Sequence, residues 1–264
     1  MQFPNRRLLA EDIIQSGDAE HGFLSSHRII STMTHLGDGN FGKASGRKIQ
    51  VRTIADCVCK DNRIVHEWLV RDQAAIALQV GIAPRELAQH WLDERGGWNK
   101  PVAGAAPAGY QSHISSDEIA QRYASAIRDF ANGEANASKA YASKTSASKT
   151  YDDAVHHLGP GGETRYGQDD VSAYWRELFT ALEMQSFDIE HLVMQRGNGR
   201  ADRVAFRWRA KARHNGAGRF GNPTGKHVEI MGINHAEFFN GRVLREWVLI
   251  DDVAIWMQVL SATG

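Results

Sequence analysis

The chain has few of the features that would assign it to a specialised class of protein. It contains two cysteines in 264 residues and no apolar run of the roughly 18 residues that a membrane-spanning helix needs. Its start, Met1 to Leu9, lacks the apolar core of a signal peptide. We therefore expect a cytoplasmic protein with no membrane partner.

An excess of either charge is also missing. Lys plus Arg number 31 and Asp plus Glu number 31, and no run of basic residues forms a local patch. Because nucleic-acid binding depends on such basic surfaces, we expect no nucleic-acid partner. The apolar fraction of 42% is that of an ordinary globular protein, and the length suits about two domains.

Motifs for cofactors, metals and common hydrolases are absent as well. There is no P-loop, no GxGxxG after a strand, no HExxH and no GxSxG. Cys57 and Cys59 stand two apart in a predicted strand, where neighbours seldom reach disulfide geometry and further metal ligands are missing. We interpret them as small buried hydrophobic residues, and we expect neither a cofactor nor a metal ion.

An internal repeat is the main positive feature. When the sequence is shifted by 179 residues, 15 of the 52 positions from Arg28 to Gln79 are identical, without a gap. The matched pairs include Arg28/Arg207, His35/His214, Gly39/Gly218, Phe41/Phe220, Glu67/Glu246, Trp68/Trp247, Asp72/Asp251 and Gln79/Gln258. A register of this length predicts a duplicated unit and a tandem fold.

The first copy is predicted to be four antiparallel strands and little else. Leu8 to Gln15 and Phe23 to His35 form one hairpin, and Lys48 to Cys59 and Arg63 to Val70 form another, with Asp61 and Asn62 in the turn. Asp72 is placed to cap a short helix over Gln73 to Val80, and Pro84 begins a helix that continues to about Arg95.

A linker and three helices precede the second copy. We predict domains at 1–95 and 115–264, joined by a Gly- and Pro-rich linker at 96–114. The capping box Ser115-x-x-Glu118 opens an amphipathic helix, and the low-complexity run Ala135 to Thr150 is a marginal helix or an exposed insertion. Asp169 or Asp170 caps a helix that continues through Met184, and a sheet of four or slightly more strands follows. The predicted class is α+β.

The second half resembles a known family. GPGGETRYG, the helix VSAYWRELFTAL and the segment TGKHVEIMGINHAEFFNGRVLREWVLIDDVAIWMQVL look like the SnoaL-like polyketide cyclase family of the nuclear transport factor 2-like superfamily. The resemblance covers about Ser115 to the C terminus. It implies tandem cone-shaped units in which a curved antiparallel sheet wraps helices, with an apolar pocket in the second unit that binds a small hydrophobic ligand.

The resemblance also suggests catalytic residues. The cyclases are believed to use a late aspartate as acid and base, which matches Asp251, although Asp251 also stands at a helix N-cap position. The segment Gln121 to Ile127 is similar to the first helix of bacterial steroid Δ5-isomerases, whose enolate-binding tyrosine matches Tyr123. His157 stands where the aspartate base of the isomerases falls, and Asn234 stands near their second oxyanion donor.

The candidate site therefore has two roles. The predicted catalytic residues are Asp251 and His157, and the predicted substrate-binding residues are Tyr123, Asn234, His235, Trp175 and Trp247. Each has a structural alternative, because a tyrosine on an apolar helix face is often core and the aspartate recurs as Asp72 in the other copy. By strand alternation, His235 faces away from Asn234.

The first unit is expected to be incomplete, because Met1 enters almost directly at its sheet and the helices that should fill its cone are missing. An uncovered apolar sheet face is rare in monomers. We expect a pseudo-dimer or a homodimer through the sheets, or alternatively a coding sequence that starts upstream.

Two functional hypotheses follow from the sequence. The first is a cofactor-independent cyclase or isomerase that acts on a small hydrophobic carbonyl compound by acid–base enolisation or aldol chemistry. The second is a non-catalytic ligand-binding or assembly module, which a second unit packed solid by Trp175, Trp247 and Phe238 would favour.

Overall fold

The computed structural model describes residues 1–18, 22–99, 106–133 and 149–262. The chain folds as two units. The first unit comprises Met1–Gln111, Pro160–Gly162 and Leu249–Gly264, and the second comprises Ser112–Gly159 and Glu163–Val248. The predicted domains follow the repeat along the sequence, whereas these units follow tertiary packing. The C-terminal helix of the second copy therefore belongs to the first unit.

Strands and helices follow the predicted α+β order, and that class is confirmed. In chain order they are β1 (Arg7–Asp18), β2 (Gly22–Thr34), β3 (Lys48–Lys60), β4 (Arg63–Arg71), α1 (Gln73–Val80), α2 (Pro84–Arg95), α3 (Glu118–Ala131), β5 (Tyr151–Leu158), β6 (Thr164–Tyr166), α4 (Gly167–Ala181), β7 (Glu183–Gln195), β8 (Asp202–Arg213), β9 (His227–Phe239), β10 (Arg242–Leu249) and α5 (Asp252–Leu260). Within the described ranges, no helix is both long and apolar enough to cross a membrane.

The first unit is built on the predicted antiparallel sheet, ordered β1-β2-β3-β4. Asp61 and Asn62 turn between β3 and β4 with φ of 50° and 58°, a left-handed conformation that short polar side chains tolerate. A buried core joins Val51 of β3, Leu87 and Trp91 of α2, and Met257 of α5. The apolar face of this sheet is thus covered by α2 and by the C-terminal helix.

The second unit contains a sheet ordered β6-β5-β10-β9-β8-β7. β5 runs parallel to β10, and β7, β8 and β9 pair antiparallel. Two more strands than the predicted minimum are present, because the histidine-containing segment Tyr151–Leu158 pairs with β10 and with β6.

Contacts recur at the spacing of the repeat and support the duplication in part. Gly39 and Gly42 exchange two backbone hydrogen bonds, as do Gly218 and Gly221. The buried guanidinium of Arg28 contacts Glu11 at 3.3 Å, and that of Arg207 contacts Glu190 at 3.2 Å. Glu11 on β1 and Glu190 on β7 thus occupy equivalent positions. This equivalence extends the repeat beyond the region of visible sequence identity.

Helix starts differ in detail from those predicted. Asp117, rather than Ser115, caps α3, because its carboxylate accepts from the N–H groups of Ile119 and Ala120. Helix α4 begins at Gly167, so that Asp169 and Asp170 lie within its first turn, where negative charge favours the helix dipole. The low-complexity run falls almost wholly outside the described residues. Cys57 is buried and Cys59 is partly exposed, and neither forms a disulfide.

Gly232 of β9 provides a test of packing in the second unit. A Cβ at this position would stand 2.1 Å from the Trp208 indole, which is fully buried. We expect Gly232→Ala to lower the free energy of unfolding by roughly 1 to 3 kcal/mol, as overpacking does. Urea unfolding would measure the loss. Thr53→Ala, at the equivalent position of β3, is the control, because its buried hydroxyl has no partner within the described residues. An equal loss in both variants would contradict the close contact.

Candidate functional site

Two predicted site residues, Tyr123 and His157, bond to one carboxylate that sequence reasoning did not single out. The carboxylate of Glu246 on β10 accepts from the Tyr123 hydroxyl at 2.9 Å, the Tyr151 hydroxyl at 3.3 Å and Nδ1 of His157 at 2.7 Å. Asn234 donates through Nδ2 to the Tyr123 oxygen at 3.1 Å. Helix α3 and strands β5, β9 and β10 are thereby tied to one buried anion.

Two indoles complete this network. Nε1 of Trp175 donates to the Tyr151 hydroxyl at 3.2 Å, and Nε1 of Trp208 donates to Oδ1 of Asn234 at 3.1 Å. Since an indole N–H can only donate, the bonds have a fixed direction. In this series of hydrogen bonds each donor points toward Glu246, whose carboxylate is the final acceptor.

The Glu246 network, as we call these seven side chains, is sealed from solvent. Its members each have 0% of their surface exposed; they are Tyr123, Tyr151, His157, Trp175, Trp208, Asn234 and Glu246. Burial, and then the charge of Glu246, raises the pKa of both tyrosines well above the ordinary value, so both stay protonated donors. The network therefore has no direct access to bulk water.

Tyr123, His157 and Asn234, which were expected to line an apolar pocket, lie in a fully buried interior beside stacked aromatic rings. Trp175 stacks on Phe179 with 5.7 Å between ring centroids, and Phe187 stacks on Trp208 at 5.0 Å. Aromatic rings are thus packed within the second unit. The polar groups of the network bond to one another, except that Nε2 of His157 is buried without a hydrogen-bond partner within the described residues.

The remaining predicted residues lie elsewhere. His235 and Trp247 follow Asn234 and Glu246 directly in their strands, so they project from the opposite sheet face, and both are buried. Asp251 belongs to the first unit, whereas His157 belongs to the second. The two predicted catalytic residues therefore do not share one unit.

Asp251 is the N-cap of α5 and also lines a cavity of about 370 Å³ within the first unit. Its Oδ1 accepts from the N–H of Ala254 at 3.1 Å. The cavity walls come from the N-terminal segment, β2 to β4, α1, α2 and α5, and they include Phe3, Phe41, Trp91, Trp98, Ile76 and Met257. A volume of this size and an aromatic lining are typical of small-molecule sites.

The carboxyl of Asp251 has an unusual acidity. Burial raises its pKa to about 7, although hydrogen bonding to Ala254 opposes the shift, and the charges of Asp252 and Asp72 add to it. At neutral pH this carboxyl is therefore present in both its protonated and its ionised form.

The repeat counterpart, Asp72, differs in its contacts. It caps α1 through the N–H of Ala75 and also accepts from the N–H of Gly161 with both oxygens, at 2.8 and 2.9 Å. Burial raises its pKa to about 6, and the hydrogen bond from Gly161 limits that shift. Asp72 is 3% exposed and does not line the cavity.

Within the described ranges, no three His, Cys, Asp or Glu side chains lie close enough together to hold a metal ion. Glu246 was visible in the sequence only as half of the pair Glu67/Glu246. A glutamate that shares its strand face with the apolar residues Leu244 and Val248 is the signal that could have identified it.

Comparison with known proteins supports the resemblance over one part of the chain. Residues 142–259 match the model of the family SnoaL-like polyketide cyclase, which is somewhat less than half of the chain. The resemblance drawn from the sequence is confirmed for that stretch. The curated proteins contain no match.

Solved structures that resemble the chain are distant. A protein assigned as a SnoaL-like polyketide cyclase from Jannaschia sp. CCS1 is 14% identical over 58% of this chain and 100% of its own, with a TM-score of 0.44. IdmH from Streptomyces antibioticus, assigned as a polyketide cyclase, is 18% identical over 54% of this chain and 99% of its own, with a TM-score of 0.42. A protein assigned as an isomerase from Rhodopseudomonas palustris is 17% identical over 55% and 98%, with a TM-score of 0.42. Likenesses this distant transfer no activity.

The Glu246 network predicts a large difference between two equivalent glutamates. Glu246→Ala leaves a histidine and two tyrosine hydroxyls without their acceptor in a buried interior. We expect it to lower the free energy of unfolding by about 3 to 5 kcal/mol. The matched control is Glu67→Ala, because Glu67 is exposed on β4 and its removal should cost less than about 0.5 kcal/mol. Urea unfolding measures both, and equal losses would contradict the network.

The raised pKa of Asp251 predicts a pH-dependent stability. A carboxyl whose folded pKa is about 7 contributes stability that is fully present below its unfolded pKa and is lost as pH rises through about 7. Asp251→Asn keeps a capping oxygen and removes this loss. The melting temperature of the variant relative to wild type should therefore rise between pH 5 and pH 8. Asp93→Asn, on the exposed side of α2, is the control and should give a constant difference.

Proposed function

We propose that the chain is a small-molecule enzyme of the cofactor-independent acid–base type, and that its site is the cavity of the first unit with Asp251 as the acid–base group. The observation that carries this proposal is the contrast between two equivalent aspartates. Both cap a helix, but of the two only Asp251 lines this cavity, and its pKa is raised to about 7. A carboxyl with a pKa near the working pH is suited to take up and return a proton.

The reaction class follows from this group and its surroundings. As a carboxylate, Asp251 takes a proton from the carbon next to a carbonyl group, and the electron pair of that C–H bond forms an enolate. The enolate either attacks a second carbonyl of the same molecule, which closes a ring, or is reprotonated at another carbon, which isomerises the substrate. In both cases the proton returns from Asp251, so no cofactor is consumed.

The substrate we propose is a small hydrophobic carbonyl compound. Aromatic side chains contribute much of the cavity wall, and the volume lies at the low end of the range for ligand sites. Gln73, which lines the same cavity, can donate its amide to the enolate oxygen. The second unit serves as a support in this proposal, because the side chains of the Glu246 network are engaged with one another.

A non-catalytic binding module is the second candidate, and one observation favours it. The Oδ1 of Asp251 is already engaged by the backbone of α5, so the carboxyl has a structural role whatever else it does.

Pairing of two chains through the first sheet also stays a prediction. Exposed apolar side chains on its edge strands support that prediction; they are Leu8, Leu9, Ile64 and Val65.

Proton exchange tests the proposed chemistry without knowledge of the natural substrate. The methylene next to the carbonyl of 1-tetralone, a small hydrophobic ketone, exchanges with D₂O when it is enolised, and NMR follows the rate. We expect wild type to accelerate exchange, Asp251→Asn to lose on the order of 100-fold of that acceleration, and the wild-type rate to rise with pH through about 7.

Asp72→Asn is the matched control for this experiment. It changes the equivalent cap outside the cavity, so exchange should persist, with its pH midpoint moved slightly lower because a neighbouring negative charge is gone. Circular dichroism checks that both variants are folded. Wild-type exchange no faster than buffer, or full activity in Asp251→Asn, would leave the binding module as the better explanation.

A further inference from the structure

We propose that the ligand of the first-unit cavity carries an anionic group, bound by the guanidinium groups of Arg6 and Arg71, on an aromatic scaffold. This inference rests on the proposed small-molecule site and narrows its substrate class. The ligand we propose has a carboxylate or a similar acidic group attached to a flat ring, and the two guanidinium groups recognise that acidic group.

Two arginines reach the cavity from opposite edges of the first sheet. Arg6 directly precedes β1, and Arg71 is the last residue of β4. The Arg6 guanidinium is oriented by the Ser31 hydroxyl of β2, which accepts from its Nε at 3.3 Å and from its terminal nitrogen at 3.2 Å. Nε of Arg71 is buried and has no hydrogen-bond partner within the described residues.

In the described part of the chain, no carboxylate lies within ion-pair distance of Arg6 or Arg71. Other arginines of the same sheet are paired with a carboxylate. Arg52 contacts Glu11 at 2.7 Å, and Arg28 contacts the same carboxylate. Arg6 is exposed at the cavity, whereas Nε of Arg71 is buried without a partner within the described residues. A buried charged group without a partner is costly, so Arg71 in this cavity points to a ligand anion.

The residues that line the cavity carry more positive than negative charge. Arg6 and Arg71 line the same cavity, and burial, and then repulsion from Arg71, lowers the pKa of Arg6. Asp251 is the acidic residue among the cavity-lining residues, and its pKa of about 7 leaves it only partly ionised at neutral pH. Arg95, whose guanidinium lies 4.8 Å from the centre of the Trp91 ring, also lines the cavity. One partial negative charge does not offset three guanidinium groups.

The walls select the rest of the ligand. Phe41 stands between Phe3 and Trp91, with ring centroids 6.0 and 5.6 Å apart. Such tilted aromatic surfaces favour edge and face contacts with another ring. An arginine binds a planar acid through two parallel N–H bonds, so the two cations and the rings together fit an aromatic acid.

A pair of fluorescent probes that differ only in charge tests the inference. 8-Anilinonaphthalene-1-sulfonate carries an anionic group, and N-phenyl-1-naphthylamine is the same ring system without it. We expect wild type to bind the anionic probe about tenfold more tightly, with the preference falling as salt is raised. Arg71→Gln and Arg6→Gln should each reduce that preference, and Arg71→Lys should retain part of it, because the charge remains while the bidentate geometry is lost.

Two controls separate the cavity from other surfaces. Arg63→Gln removes the same charge at the exposed start of β4 and should leave the preference unchanged. Ala254→Phe places a ring in the cavity and should weaken both probes. Anionic binding that is unchanged in Arg6→Gln and Arg71→Gln would overturn the inference. Binding of both probes with equal affinity would also overturn it but leave the proposed site intact, whereas no binding of either probe would refute the site itself.

Discussion

The buried carboxylate of Glu246 is the interaction on which the second unit depends. An ionised carboxylate withdrawn from water costs several kcal/mol unless donors surround it, and here three side chains supply them. The donors come from α3 and β5, while the carboxylate comes from β10. Because both tyrosine donors are themselves positioned by an indole or by Asn234, the unit is stable only when helices and strands are all in place together.

The first copy of the repeat shows what the preceding helices contribute. Glu67 stands at the same strand position as Glu246, yet it is exposed, because no tyrosine-bearing helix or histidine-bearing strand precedes the first sheet within the described residues. The apolar face is covered instead by α2 and by α5, which comes from the end of the chain. Two equivalent sheets are therefore completed in different ways. The second unit contains stacked aromatic rings around its buried carboxylate, and the first contains a cavity.

This difference also explains how one repeated aspartate can have two fates. Asp72 and Asp251 are the N-caps of equivalent helices. Each side chain accepts a hydrogen bond from the backbone N–H of the residue three positions later. Both carboxylate oxygens of Asp72 accept hydrogen bonds from the N–H of Gly161, so we assign this buried carboxyl a structural role. Asp251 meets a cavity with unpaired arginines. Duplication preserved the cap, and the surroundings decide whether the carboxyl is also available to a ligand.

Local and repeated features were within reach of the sequence. The approximate strand positions, the turn at Asp61 and Asn62, the caps at Asp72 and Asp251 and the register of 179 residues depend on neighbours along the chain or on identity between copies. The structure contains these features. The Glu246 network and the cavity were not predictable in the same way. Tyr123 and Glu246 are 123 residues apart, and the cavity joins Phe3 to Met257. Pairwise patterns cannot show which distant groups share an interior, and they cannot assign the C-terminal helix to the first unit. Only tertiary packing decides whether a polar side chain on a strand faces a ligand or another side chain, because that depends on what covers the sheet.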